Sequence, residues 1–372
     1  MQQVVVDEEL KWRIALTLLE GVGSVTARNL VGYCGSVEGV FKEKKKNLEK
    51  IPGIGPATAE KIISHNTFER AEKELVFIER YEIKPLFYLD KEYPSRLKNC
   101  SDAPVLLYYK GTANLNHHRM IAIVGTRNAS DYGKQMTEKI TEDLKAYDII
   151  IVSGLAYGID IAAHKTSIKN EMPTIGVLGH GLDRIYPALH KPVAEKMMAQ
   201  GGLLTEFMTE TKPDKENFPQ RNRIVAGMCD AVLVIEAAKS GGALITAEIA
   251  NSYNRDVFAI PGRTNDTYSA GCNYFIKTNK AALVESADDI AGMMQWNLEK
   301  RETEKPRQRQ LFIELNEEEK QLANLIEQNG KTHIDLITSS LPLPVSKISA
   351  TLLSLEFKGV IKSLPGKMYQ GV

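Results

Sequence analysis

The chain has 372 residues, enough for two or three domains at roughly 100–200 residues each. Hydrophobic residues make up 43% and charged residues 25%, which excludes a disordered or collagen-like polymer. Lys+Arg and Asp+Glu balance at 47 each, so a nucleic-acid binder acting through bulk positive charge is also excluded, although a local basic patch is not. Cys34, Cys100, Cys229 and Cys272 are scattered with no CxxC pair, which argues against a disulfide scaffold or a structural zinc site and for a reducing cytosol. The acidic start, MQQVVVDEEL, is unlike a signal peptide, and no apolar run reaches the ~18–20 residues that span a bilayer. A cytoplasmic protein without membrane contact is expected.

Residues 1–80 read as a small all-helical domain, with Leu10, Ile14, Leu18 and Leu19 at helical spacing. Two Gly-x-Gly turns each open a helix: Gly21-Val22-Gly23 before Val25–Val31, and Gly53-Ile54-Gly55 before Ala57–Ile63. The second has the form of a helix-hairpin-helix. Its Gly53 and Gly55 either offer backbone N–H groups to a phosphate or only permit a tight turn. Charge does not favour contact with DNA, since residues 1–80 carry twelve basic and twelve acidic side chains.

From about residue 84 short apolar runs alternate with helical patterns. Strands are expected at Pro85–Leu89, Val105–Tyr109, Met120–Val124, Ile149–Val152, Thr174–Leu178, Gly202–Glu206, Ala231–Ile235, Val257–Ile260 and Ala281–Val284. Helices are expected between them, among them Tyr132–Lys145, Ile159–Asn170 and Ala243–Asn254. Wholly apolar strands separated by helices indicate a mainly parallel, doubly wound α/β sheet over residues 81–297. Residues 298–310, LEKRETEKPRQRQ, read as a charged linker. Residues 311–372 read as three helices and a two-stranded wing, a winged-helix unit. Asn316 caps its first helix, and Val345, Ile348, Leu352 and Leu355 form the stripe of its third.

The α/β region holds the chemistry-bearing turns. Gly125-Thr126-Arg127 follows one strand, where a helix N-terminus and an arginine can grip an anion. The dinucleotide pattern G-x-G-x-x-G is absent, so a nicotinamide enzyme is not supported and no cofactor is expected. Ser153-Gly154 ends a second strand, but Ser153 is not in a G-x-S-x-G elbow. Asp160 and His164 share a helix face; they are read as a turn organiser and a hydrogen-bonded structural residue rather than acid–base or metal machinery, so no catalytic or metal-binding set is assembled. The segment KPDKENFPQRNRIVA gathers Lys212, Lys215, Arg221, Asn222 and Arg223 around Phe218, cations for phosphates beside a ring for an unpaired base. Ser240-Gly241-Gly242 is a third glycine turn opening a helix.

These blocks together resemble the DprA/Smf family of DNA-processing proteins of natural transformation and competence. The resemblance is carried by Tyr93-Pro94, Val124-Gly125-Thr126-Arg127, Ser153-Gly154-Leu155-Ala156, Gly158-Ile159-Asp160 and Gly179-His180-Gly181-Leu182-Asp183 with Tyr186-Pro187. It continues in Phe218-Pro219, Arg221-Asn222-Arg223, Ser240-Gly241-Gly242 and Gly271-Cys272-Asn273. It implies an extended Rossmann-like core that binds single-stranded DNA, forms a homodimer through that core and loads RecA for DNA recombination, with no catalytic activity. It also implies DNA contacts at Arg127, Lys215 and Phe218, with Arg221 and Arg223 as further phosphate holders. The turns at Gly125, Ser153-Gly154 and Gly241-Gly242 would line the same pocket.

Two other readings compete. The Ser240–Glu248 loop faintly resembles that of lysine-decarboxylase-like nucleotide phosphoribohydrolases, with Glu248 as acid or base, but Ser240 and Ile245 depart from the pattern. A winged helix reading duplex sequence has only Lys347 and Lys358 on its third helix. Residues 111–298 carry 19 basic against 21 acidic side chains, so any nucleic-acid site must be focused.

Overall fold

The computed structural model describes residues 7–296, 315–341, 343–364 and 367–371; the expected linker at 298–310 lies outside the described residues. Two compact units divide the chain, Met1–Arg301 and Glu302–Val372.

The first unit opens with six helices: α1 (Glu8–Thr17), α2 (Ser24–Cys34), α3 (Val37–Lys42), α4 (Lys45–Leu48), α5 (Pro56–Ile63) and α6 (Phe68–Arg80). Asp7 starts α1 by accepting from the Leu10 amide at 3.0 Å. The two Gly-x-Gly turns feed α2 and α5, as their spacing requires. Ile14, Leu30, Leu48 and Ile62 are buried in a core that continues into Phe87, Leu106 and Tyr108 on the sheet. The helices are therefore fused to the α/β part by shared apolar burial. Polar clamps add to this: Arg28 donates to the Ala103 carbonyl at 2.6 Å, and buried Glu74 accepts from the Thr209 amide at 3.0 Å.

The sheet has nine strands: β1 (Lys84–Phe87), β2 (Leu106–Gly111), β3 (Met120–Val124), β4 (Ile150–Ser153), β5 (Thr174–Val177), β6 (Gly202–Thr205), β7 (Ala231–Val234), β8 (Asp256–Ala259) and β9 (Ala282–Leu283). Each lies within two residues of its expected position. Their order is β1-β2-β6-β5-β4-β3-β7-β8-β9. Pairing is parallel from β6 to β9 and antiparallel at the β1–β2 and β2–β6 edge. Side chains alternate across it. Ala122 and Val124 face one core, with Ile224 and Leu244 from the helices α11 (Asn217–Gly227) and α12 (Gly242–Ser252). Ile121 and Ile123 face the other, with Ile140 of α8 (Asp131–Leu144) and Ala163 of α9 (Ile159–Lys169). Short helices α7 (Ser95–Lys98), α10 (Lys191–Gln200), α13 (Ala270–Lys277) and α14 (Ala287–Met293) complete the unit.

The second unit contains α15 (Glu317–Asn329), α16 (Ile334–Ser340), α17 (Val345–Phe357) and the strands β10 (Thr332–His333), β11 (Ile361–Leu364) and β12 (Met368–Gly371). Asn316 and Glu319 form a reciprocal capping box at the start of α15. Two expectations change. The wing has three strands, in the order β10-β12-β11, because Thr332–His333 adds to its edge. Val345 is 62% exposed and outside the stripe made by Ile348, Leu352 and Leu355, since the first residue of α17 lies past the edge of so small a core. Lys347 of α17 pairs with Glu318, and Lys358, just past the end of α17, with Glu319 at 2.7 Å, so both cations are engaged by α15. No single helix among the described residues is long and apolar enough to cross a membrane.

Candidate functional site

Doubly wound sheets take ligands where their strand order reverses. Here that point is β3, from which the chain winds outward through β4, β5 and β6 on one side and β7, β8 and β9 on the other. A cleft of about 430 Å³ opens at the carboxyl ends of β3, β4 and β7. Three strand-end turns and α11 line it.

The β4 turn is held by buried polar groups. Asp160, at the start of α9, accepts from the amides of Gly154 and Ala156 at 3.2 and 3.4 Å. Leu155 between them has φ +56°, a strained backbone for a side chain with a Cβ. Its carbonyl accepts from Nδ1 of His190 at 2.8 Å, which fixes that conformation. Arg221 reaches up from α11, only 4% exposed. Its Nη1 donates to the carbonyls of Gly154 and Val177, and its Nε to Oδ1 of Asn222 at 3.1 Å. A Cβ on Gly154 would stand 2.1 Å from that guanidinium, so glycine is required here by the arginine. Burial pulls Arg221 down to about 10; Asp160 opposes this, and Arg127 adds to it by like-charge repulsion. Burial likewise pushes the Asp160 carboxyl up, against the pull of Arg221. The cleft floor thus holds a desolvated guanidinium with the buried Asp160 carboxyl acting on it from one side and Arg127 from the other.

Of the helices that begin around the cleft, α8 and α12 differ in how their ends are satisfied. α8, after the β3 turn, is already capped. Ser130 Oγ accepts from the Gly133 amide at 3.1 Å, while fully buried Glu236 accepts from the Ser130 amide at 2.9 Å and from its hydroxyl at 2.5 Å. The expected phosphate grip by the helix after Gly125-Thr126-Arg127 is therefore corrected: a carboxylate of the protein already occupies that helix end. α12 is open. Its N-cap is Gly241, at φ +151°, with no side-chain cap, and Ser240, Gly241, Gly242 and Ala243 line the cleft. Asn222 donates to the Gly242 carbonyl at 3.3 Å, tying this turn to α11.

The rim is aromatic and cationic. Phe218 is half-buried, and exposed Arg127 lies over its ring with the guanidinium carbon 5.2 Å from the centroid. The Tyr186 ring centroid lies 6.4 Å from that of Phe218.

Of the residues expected in the site, Gly125, Arg127, Gly154, Phe218, Arg221, Asn222, Gly241 and Gly242 are brought together around the cleft. Arg221 serves mainly as its scaffold, because its Nη1 is committed to two carbonyls. Ser153 is fully buried behind it, donating to the Ile123 carbonyl at 2.6 Å. Arg223 faces away, pairing with Glu206 and donating to the Asp102 carbonyl. Two steps along a helix turn a side chain by about 200°, so Arg221 and Arg223 cannot share a face. Lys212 and Lys215 lie exposed on the segment entering α11, with no ion pair among the described residues. Gly53 and Gly55 form an exposed turn before α5 and are not part of the cleft.

The competing chemistry does not assemble there. His164 is fully buried, with Nδ1 2.7 Å from Thr174 Oγ1, and burial drives its pKa down to about 3. Glu248 pairs with Lys280 at 2.5 Å on the exposed side of α12, outside the cleft. Sequence reasoning missed Glu236. Its signal was an acid directly after the apolar strand Ala231–Ile235, where a buried helix end needs a partner.

Residues 84–295 match the family model of DNA recombination-mediator protein A, more than half of the chain. The chain belongs to this family. Residues 14–65 match a SAM-like helix-hairpin-helix tandem and residues 306–367 a DprA winged helix domain. Protein Smf of Synechocystis sp. is 33% identical over 98% of both chains. DNA processing protein DprA of Streptococcus pneumoniae is 44% identical over 54% of this chain and 71% of its own. Its X-ray structure superposes with TM-score 0.66 at 35% identity, covering 76% of this chain and 97% of that one. A Helicobacter pylori DNA processing protein A, described for its single-stranded DNA binding mode, has TM-score 0.53 at 27% identity, covering 58% of this chain and 96% of its own.

Proposed function

We propose that this protein binds single-stranded DNA in the β3–β4–β7 cleft, without catalysis, and passes the strand to a recombinase. The observation that carries the reading is the convergence of the uncapped α12 N-terminus, Arg127 and Phe218 on one cleft: donors for a phosphate beside a ring for a base. Lys212 and Lys215, exposed and without an ion pair among the described residues, extend the cationic track along the entry to α11. The relative from Helicobacter pylori is described as binding single-stranded DNA, which supports the same ligand here. Transfer to RecA for recombination in natural transformation, and a homodimer through the α/β core, belong to this reading through family membership. A short footprint per subunit favours the dimer, since a second linked site raises avidity.

Fluorescence anisotropy with labelled oligothymidine tests it. Single strand is expected to bind more tightly than duplex of equal length. Affinity is expected to fall with salt, and Phe218→Ala to lose about 1–3 kcal/mol. Equal affinity for duplex, or wild-type binding by Phe218→Ala, overturns the reading. The RecA step is read separately, by filament formation on strand covered with a single-strand-binding protein, with and without this chain.

A further inference from the structure

At the other end of the sheet, where the parallel strands begin, three ligating side chains meet outside the cleft. His117 and His118 precede β3, and Asp148 precedes β4. Nε2 of His117 lies 3.6 Å and Nε2 of His118 4.0 Å from the same oxygen, Oδ2 of Asp148. All three ligand atoms fall within 4.8 Å of one another. Donors about 2.0–2.1 Å from a tetrahedral ion are separated by roughly 3.3 Å, so small side-chain rotations would close this set on one cation.

The backbone around them is built. Arg96 uses both ends of its guanidinium on this dipeptide, donating to the carbonyls of His117 and His118 at 2.8 and 2.9 Å. Asp230 matches the charge of Arg96 through a 2.6 Å pair. Asp148 stands in the left-handed region, φ +53°, where the 3-10 turn Lys145–Tyr147 ends, and its amide donates to the Lys145 carbonyl. Nδ1 of His117 is anchored on the backbone of Arg119, 3.0 Å from its carbonyl in one tautomer and accepting from its amide at 3.3 Å in the other. In the tautomer that donates to that carbonyl, the lone pair sits at Nε2, which faces Asp148. A backbone carbonyl on the second nitrogen is how metal-bound histidines are oriented.

We propose that His117, His118 and Asp148 bind one divalent transition-metal ion of the Zn²⁺ class, which pins the loop before β3 to the turn before β4. Two imidazoles and a carboxylate select Zn²⁺, Co²⁺ or Ni²⁺ over Mg²⁺ or Ca²⁺. The absence of paired cysteines had argued against zinc, but this site uses none. It lies at the amino ends of the strands and the cleft at the carboxyl ends, so the ion is a structural clip with no part in holding DNA.

The experiment uses the full chain, stripped with chelator and dialysed. Zn²⁺ is titrated in competition with a chromophoric chelator, Co²⁺ is followed by visible absorption, and thermal unfolding is recorded with and without Zn²⁺. Saturation at one ion per chain is expected, with a rise in unfolding midpoint. His118→Ala and Asp148→Asn, at exposed positions that leave the core intact, are each expected to weaken binding at least tenfold and remove that rise. Affinity for oligothymidine is expected to be the same with Zn²⁺ as with chelator. No saturable binding, half an ion per chain, or binding unchanged in both variants overturns the proposal.

Discussion

Arg127→Ala is the most informative single perturbation of the cleft. The side chain is exposed, forms no ion pair among the described residues, and its one ring contact is with Phe218 at 5.2 Å. Its removal should therefore leave folding within about 0.5 kcal/mol of wild type. The small residual effect is stabilising in sign, because Arg127 repels the buried Arg221. Binding should suffer far more. A charge-assisted hydrogen bond to phosphate contributes about 1.5–3 kcal/mol, which is roughly a 10- to 150-fold loss of affinity. The slope of log K against log salt should shrink by about 0.7, the share of one phosphate on a single strand. Arg127→Lys should keep the slope while losing the flat contact with the ring. A cycle with Phe218→Ala should then show coupling of about 0.5–1 kcal/mol from the cation–π contact. Anisotropy across a salt series reads all of these. An unchanged slope in Arg127→Ala, or strict additivity with Phe218→Ala, refutes the placement of the phosphate beside this residue.

Other outcomes follow from buried groups. Gly154→Ala drives a Cβ into the Arg221 guanidinium and should cost about 1–3 kcal/mol in urea denaturation, with a matching loss of strand binding; wild-type stability would show that the turn yields freely. Glu236→Ala strands the Ser130 amide and hydroxyl and should cost about 3 kcal/mol; an unaffected midpoint would remove the capping role given to this acid. His164 has a folded pKa of about 3 against roughly 6.5 unfolded, so the unfolded chain binds more protons between those values. Its contribution is complete above pH 6.5 and fades as pH falls toward 3, with a slope of up to about 1.4 kcal/mol per pH unit. His164→Asn should flatten that slope in denaturation curves taken between pH 4 and 6.5; an unchanged slope would assign it to another group.

The strands were legible because most are short apolar runs closed by glycine, proline or a polar residue, a composition that burial on both faces demands of the central ones, whereas the edge strands β1 and β9 are only partly buried. The antiparallel β1–β2 edge was not, since Lys84–Phe87 and Leu106–Gly111 carry the same kind of run as the parallel strands. In the cleft, Arg127 and Phe218 were readable from residue type beside a strand end and a helix start. Arg221 and Arg223 looked equivalent in an R-N-R string, and only the helical turn between them separates a cleft scaffold from a partner of Glu206. Glu236 was harder still: its role depends on Ser130, 106 residues earlier, reaching the same spot only after the sheet has formed.

The buried carboxylate at the start of α8 has a consequence for selectivity in a cell. Free nucleotides are abundant there and carry the same phosphate and base as a strand. In many sheets of this kind the helix after the first strand forms the cup for a single nucleotide's phosphates. Here the Glu236 side chain already takes the Ser130 amide and hydroxyl at that helix start, which leaves fewer donors there for a bound phosphate. The remaining donors, at α12 and on the rim, are spread along an open groove, so one nucleotide satisfies only a few of them at once. In the proposed strand-binding role a polymer would engage them together, so chain length is the property this surface is expected to discriminate.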